Sequence, residues 1–192
     1  MKIQIHVAQP EHAVYAQPIC DLMAESAKAR GTGIATRKPE YVEEKLKSGK
    51  AIVALVDGEL AGFSYIETWS HGKYVANSGL IVNPKFRRFG LARKIKAAIF
   101  NLSRTKYPDA KIFGITTSLP VMKINSDLGY KPVTFSELTQ DDAFWAGCNS
   151  CPNVDILNRN ERRMCLCTAM MAPSGNEAKQ MAIDLSEMII EG

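Results

Sequence analysis

No stretch of this chain reaches the roughly 18 consecutive apolar residues that a membrane-crossing helix needs. The opening, MKIQIHVAQP, alternates apolar and polar residues and meets Pro10 without the long apolar segment of a secretory signal. A cytoplasmic protein with no membrane association is therefore expected. No internal repeat and no low-complexity tract is present. Cysteine is sparse, five residues, and in a reducing compartment these are free thiols or metal ligands rather than disulfides. Nothing pairs a nucleophile with a base in a way that suggests a covalent intermediate. Acid is missing altogether from residues 87–106, where Arg87, Arg88, Arg93, Lys94, Lys96, Arg104 and Lys106 gather. Such a patch suits a small phosphorylated ligand or nucleic acid. No nucleic-acid motif accompanies it, so the small ligand ranks first.

What is present is a chain of 192 residues, 46% apolar, with a net charge of +4. That is one domain of ordinary size with enough apolar material for a full core. Residues 2–7 alternate as a strand. A helix follows, starting at Pro10 or afresh at Pro18. Pro39 to Lys47 reads as a second, short helix. Residues 51–56, AIVALV, are a buried strand, and Asp57-Gly58 marks a hairpin turn into LAGFSYIETW. A third antiparallel strand runs from Tyr74 to Val82. Leu91, Ala92, Ile95, Ala98, Ile99 and Leu102 then mark one face of a long helix. KIFGITT is a strand reached through that helix, hence parallel to its neighbour. Pro120 to Leu128 is a short helix, YKPVTF a strand, and RRMCLCTAMM, 162–171, the last one. The tail opens with a capping box at Ser174 and Glu177 and is expected to bury Ala178, Met181, Ala182, Leu185, Met188 and Ile189 on one side. The order predicts an α/β fold around a mixed sheet.

Two segments fit Arg-x-x-Gly-x-Ala: residues 30–35 and residues 87–92. The pattern alone is weak, since average composition produces it in roughly one chain in five of this length. Context separates the copies. A phosphate cradle needs backbone N–H groups converging at a helix N-terminus, with glycine where the anion approaches the chain. The copy at 87–92 follows a strand and opens the best amphipathic helix. The copy at 30–35 follows a helix, and Gly31 and Gly33 there serve as a stop and a hinge. A plain strand-to-helix turn with exposed arginines is the alternative for the first copy.

Strand, Val82-Asn83-Pro84, then Arg87-Arg88-Phe89-Gly90-Leu91-Ala92 and a helix resembles the signature of the GCN5-related N-acetyltransferases (GNAT). The likeness runs from residue 3 to about residue 171. It implies a splayed mixed sheet of six to seven strands flanked by helices, as an acyltransferase domain over 1–171, with residues 172–192 an appended amphipathic helix. It also implies acetyl-CoA or another acyl-CoA as co-substrate, with the amine of an acceptor attacking the thioester directly. On that resemblance the N–H groups from Arg88 through Phe89, Gly90 and Leu91 to Ala92 hold the pyrophosphate. Arg87 and Arg93 meet the other phosphate charges. Ile81 and Val82 offer backbone groups to the pantetheine arm and the thioester carbonyl.

ARGTGIATRKPEYVEEKL and KIFGITT more narrowly resemble the transferase domain of N-acetylglutamate synthases. That likeness implies Arg37 and Lys73 as partners for the two carboxylates of glutamate, two cations set apart as a dicarboxylate requires. Ordinary surface cations are the other reading of both. The chain departs from the family at two places. No acid lies between Tyr74 and Val82, where a general base is usual. Asn125 stands where the family's Tyr protonates the leaving thiolate. Glu67 is the nearest substitute base, acting through a water, with Tyr65 on the same strand face; an exposed strand-end carboxylate is the alternative.

Cys148-x-x-Cys151 and Cys165-x-Cys167 are two pairs, as a zinc site would need. The second pair has one intervening residue instead of two. Four buried small side chains are the competing reading and the favoured one. The Cys-bearing stretch 144–163 is an excess over the synthase-like pattern and is expected to lid the acceptor site. An acyltransferase on a small amine is the leading reading. A module that binds and senses acyl-CoA, and a protein or nucleic-acid partner function, compete with it. Homodimerisation is left open.

Overall fold

The computed structural model describes residues 2–30 and 35–190. Its strands are β1 (Ile3–Val7), β2 (Ala51–Val56), β3 (Glu59–Trp69), β4 (Tyr74–Val82), β5 (Lys111–Thr116), β6 (Lys131–Val133) and β7 (Thr168–Ala172). Its α-helices are α1 (Ala16–Arg30), α2 (Pro39–Lys47), α3 (Leu91–Lys106), α4 (Leu119–Asp127), α5 (Asp142–Ala146), α6 (Val154–Arg159) and α7 (Gly175–Ile190). The strands form one mixed sheet in the order β1-β2-β3-β4-β5-β7-β6. Pairing is antiparallel except between β4 and β5, which α3 connects. Asp57 and Gly58 take positive φ, 49° and 82°, and close the β2–β3 hairpin as a two-residue turn of the primed kind requires.

Three apolar clusters hold the sheet. Below one face, α3 buries Leu91, Ile95 and Ile99, none more than 1% exposed. Each such side chain stabilises by roughly 1.5–3 kcal/mol. Pro108 lies just past the end of the helix, where it could not have extended it. On the opposite face α1 and α2 cover Val53, Phe63, Tyr65 and Ile81. A third cluster gathers Phe113, Phe135, Trp145 and Leu157 beside β5 and β7.

Two irregularities open the sheet. The β3–β4 register pairs Phe63 with Ile81 but Tyr65 with Ser78, so β4 carries an extra residue there. Gly79 lies in the bulge with φ +64°, and a Cβ on it would sit 2.3 Å from the Tyr65 ring. Ahead of that bulge β4 and β5 have already parted company. They pair only from Tyr74–Lys111 to Ala76–Phe113, while β5 continues along β7 as far as Thr116–Thr168. The result is a V-shaped cleft at the C-terminal ends of two parallel strands.

Several expectations are corrected. Cys165 and Cys167 precede the last strand, which begins at Thr168. The residues before it form turns and bends, with Glu161 and Arg162 at positive φ. The strand expected over YKPVTF shrinks to Lys131–Val133 because a 3-10 turn begins at Phe135. The stretch around Phe144 to Arg159 holds two short helices, α5 and α6. The capping box at Ser174 and Glu177 forms as expected. The buried face of α7 does not: Ala178, Met181 and Ala182 are exposed. Among the described residues nothing covers that side of the helix at these positions, so its apolar periodicity meets no core there. Leu185, Met188 and Ile189 lie outside the residues whose side chains are described, and Gly31 and Gly33 outside the described residues altogether. Among the described residues no helix is long and apolar enough to cross a membrane.

Candidate functional site

The turn from β4 to α3 is built as a donor nest. Asn83 accepts from the Lys85 N–H and Arg87 donates back to Pro84, ending a 3-10 turn. Arg88 and Gly90 then take positive φ, 79° and 69°. Gly90 caps α3, and the N–H groups from Arg88 to Ala92 make no hydrogen bond among the described residues. Such orphan donors, together with the helix dipole, form an anion site. A Cβ on Gly90 would meet nothing within 4 Å, so the space beside it is open for a ligand. Arg87, Arg88, Phe89 and Gly90 are exposed. Arg93 is paired with Asp127, Nη2 to Oδ2 2.7 Å, because α4 sets that acid beside α3. An exposed pair of this kind contributes about 0–1 kcal/mol and exchanges readily for a phosphate.

The cleft between β4 and β5 widens into a cavity of about 470 Å³. Its walls bring together residues far apart in sequence: Arg37 and Tyr41, Tyr65 and Glu67, Ser78 to Ile81, Gly114 to Thr117, Asn125, and a run from α5 to α6. Ile81 reaches the cavity; Val82 is not on its wall. The segment with the Cys pairs lines the cavity through Phe144, Gly147, Cys148 and Cys151.

Arg37 comes from the strand-like approach to α2. Its Nε donates to the Tyr65 hydroxyl at 2.8 Å and its Nη1 to the Thr36 carbonyl at 3.0 Å. Nη2 makes no such bond among the described residues and points past Gly147. Tyr41 donates to Glu67 Oε1, and its ring stands edge-on to Tyr65 at 5.8 Å. Burial pushes the Tyr65 phenol up to about 12, with the Glu67 charge adding and Arg37 opposing. Burial also raises the Tyr41 phenol, Tyr65 and Glu67 reinforcing it. Both phenols therefore stay protonated, and among the described residues Glu67 is the one carboxylate on the cavity wall, with Tyr41 as its hydrogen-bond donor. The structure thus joins Arg37, Tyr65 and Glu67. Lys73 stands apart. It sits exposed on the β3–β4 turn, where its backbone is tied to Ser70 and Lys111, and it is not on the cavity wall.

Asn125 is buried on α4, its Nδ2 facing the Met170 sulfur at 3.7 Å and its Oδ1 without a partner. Trp69 Nε1 and Asn153 Nδ2 are buried and unpartnered as well, and all three residues line the cavity. Buried polar atoms usually have partners, so each of the three marks a point on the cavity wall that a polar group would suit.

The four cysteines Cys148, Cys151, Cys165 and Cys167 also line the cavity, half-buried and free. They sense one another. Burial raises the Cys167 thiol to about 12, and Cys165, Cys151 and Cys148 add to it. Burial raises Cys148 too, with Arg37 opposing. Yet no three His, Cys, Asp or Glu side chains among the described residues are placed to hold a metal ion. Thiols lacking a common focus do not fit zinc, so the zinc reading gains no support.

One member of the basic patch read from the sequence is not on the surface. Lys96 projects from the inner face of α3, is 2% exposed, and reaches the cavity wall at the crotch of the cleft. Its place beside Ala92 and Ile99 on the apolar stripe was the available signal.

Comparison with known proteins bears on this geometry. The model of the acetyltransferase (GNAT) family matches residues 20–113. No curated protein matches the chain in sequence. An N-acetylglutamate synthase from Neisseria gonorrhoeae, solved with coenzyme A and N-acetyl-glutamate, is similar at a TM-score of 0.64 and 17% identity, covering 90% of this chain and 35% of its own. The chain thus spans about a third of that protein's length. A Mycobacterium tuberculosis protein solved with CoA is similar at 0.62 and 13% identity, covering 88% of this chain and 98% of its own. A phosphinothricin acetyltransferase from Sinorhizobium meliloti, solved with AcCoA, is similar at 0.61 and 14% identity, covering 91% and 90%. Identities of this size speak for the shared fold.

Proposed function

We propose that this chain, which belongs to the acetyltransferase (GNAT) family, transfers an acyl group from acyl-CoA to the amino group of a small carboxylate-bearing substrate. One observation carries the reading. The donor nest at the head of α3 follows on from β4, the strand that forms one side of the cleft, and the half-engaged guanidinium of Arg37 lines the cavity into which that cleft widens. The nest would take the pyrophosphate, and Arg87 a further phosphate charge. The pantetheine arm would lie along β4 beyond Ala76, where the ladder to β5 has ended and backbone groups need partners. That brings the thioester to the bulge around Gly79, with Ile81 beside it. The acceptor would enter from the α1–α2 side, its carboxylate against Arg37 and its amine toward the cleft. Glu67, oriented by Tyr41, would relay the amine's proton through a water.

Glutamate is the first acceptor to test. The N. gonorrhoeae relative is solved with its acetylated form. Lys73 lies too far out to meet a second carboxylate. The unpartnered donors Trp69 Nε1 and Asn153 Nδ2 favour an acceptor whose far end carries oxygen, an acid or an amide. A second reading, a domain that binds acyl-CoA without transfer, draws on Asn125, whose carboxamide is not acidic enough to protonate a thiolate.

Thiol release from acetyl-CoA with glutamate, glutamine and a monocarboxylate amine tests the proposal. Arg37→Ala removes a charge-assisted contact of about 1.5–3 kcal/mol, so kcat/KM should fall tenfold to a hundredfold or more. Acetyl-CoA affinity by calorimetry should not move. Equal turnover of the variant, or a wild type that binds donor and ignores every amine, would overturn the reading.

A further inference from the structure

The acyl-transfer reading leaves the departing sulfur without an acid, because the Asn125 carboxamide does not ionise at working pH. Lys96 is the feature of the cleft that nothing yet explains. Long charged side chains almost never bury fully without a partner, and this one is 2% exposed. Its ammonium makes no hydrogen bond or ion pair among the described residues. Its polar neighbour is the Tyr130 ring, whose centroid lies 5.1 Å from Nζ. The cation–π contact holds the side chain in place without taking its proton.

The surrounding titratable groups are turned elsewhere. The Tyr130 hydroxyl donates to Asn77 Oδ1 at 2.9 Å, and Asn77 Nδ2 donates to Ser103. Asp127 on α4 holds Arg93, and Lys111 on β5 holds Glu177. Glu67 on β3 points to the other face of the sheet, with Tyr41. Arg104, further along α3, is bonded to the Ala110 and Pro173 carbonyls, and Lys123 on α4 makes no ion pair among the described residues. Burial alone acts on the Lys96 ammonium and pushes its pKa down to about 7.

Its position is specific. Nζ stands 3.9 Å from where a Cβ of Gly114 would be, on the α3 side of β5 where the two parallel strands begin to part. Gly114 has no side chain to close the gap, and both residues line the cavity. We infer that Lys96 is the general acid of the reaction, handing its proton to the sulfur of coenzyme A as the thioester breaks. This rests on the acyl-transfer reading. The neutral acceptor amine forms the C–N bond at the thioester carbonyl carbon. The C–S bond breaks and its electron pair leaves on sulfur. The Lys96 ammonium protonates that sulfur to the thiol and becomes neutral. The proton shed by the new amide nitrogen returns to Lys96 through solvent, so the cycle closes. A lysine that titrates near neutrality is suited to both halves of this exchange.

The test uses the full chain with acetyl-CoA and the acceptor panel above. Lys96→Met keeps the stem, and Lys96→Arg keeps a cation that cannot give up its proton. Both should bind acetyl-CoA like wild type by calorimetry yet lose kcat by about 10²–10⁴-fold. The alkaline limb of the wild-type kcat profile should disappear in both. If either variant turns over within threefold of wild type with the same pH profile, the inference falls and the acyl-transfer reading stands. Restored activity in Lys96→Arg would show a positioning charge and also overturn it. So would mass-spectrometric detection of an acyl group on Lys96, which would make the nitrogen a nucleophile. A wild type that binds acetyl-CoA but releases no thiol with any amine would overturn both readings together.

Discussion

Replacing Lys96 should stabilise the protein, and by an amount that depends on pH in a calculable way. A lysine in the unfolded chain titrates near 10.5, and the buried Lys96 near 7. Above pH 10.5 the group is neutral in both states and its burial carries no charge penalty. As pH falls from 10.5 toward 7 the unfolded chain takes up a proton that the folded protein does not, and stability drops by about 1.4 kcal/mol per pH unit. Below pH 7 both states are protonated and the deficit levels off, at about 5 kcal/mol for this shift. Lys96→Met removes the titration while keeping an unbranched stem against Tyr130. Wild type should therefore gain on the variant by about 3 kcal/mol between pH 7 and pH 9.5. For a domain of this size that closes a gap in Tm of roughly 6–12 °C. Urea denaturation of both proteins at pH 6, 7, 8.5 and 9.5 measures it. A difference that stays constant over that range would mean the ammonium is solvated, and the premise of an unpaired buried lysine would be wrong.

Gly79→Ala places a Cβ 2.3 Å from the Tyr65 ring at a positive φ, and should lower stability in urea by roughly 2–5 kcal/mol; a loss below about 1 kcal/mol would contradict the bulge geometry. At Gly90 the φ is also positive but the space is open, so Gly90→Val should fold with a strain of about 1–2 kcal/mol and bind acetyl-CoA at least about tenfold more weakly, since the branch fills the path of the phosphate. Unchanged affinity in calorimetry would move the cradle elsewhere. The four cavity cysteines should titrate as thiols, Cys167 reacting more slowly at pH 8 than an unhindered thiol because its pKa is pushed up to about 12; near-stoichiometric zinc in the purified protein, or a fall in Tm on adding chelator, would reverse that assignment.

Local pattern was enough for much of this molecule. Alternation placed β1, an apolar run and the turns after it placed β2 to β4, helical spacing placed α3, and a hexapeptide lying between strand and helix located the nest at Gly90. These features depend on residues within a few positions of one another, and each local preference agrees with the final fold. Arg37 and Tyr65 were legible as candidates, but their hydrogen bond was not, because it joins segments 28 residues apart. Lys73 looked equivalent to Arg37 in sequence. Only the path of the β3–β4 turn decided that one cation faces the cavity and the other faces water. The apolar stripe of α7 promised a buried face, and the exposure of Ala178, Met181 and Ala182 among the described residues withdrew it. The Cys165–Cys167 spacing implied a strand face that the turn before β7 never forms. Lys96 shows the limit most clearly. Its burial and lack of a counter-ion are sums over α3, β4, β5 and Tyr130. A side chain's electrostatic environment is set by everything that excludes water from it, and those groups meet only when the chain has folded.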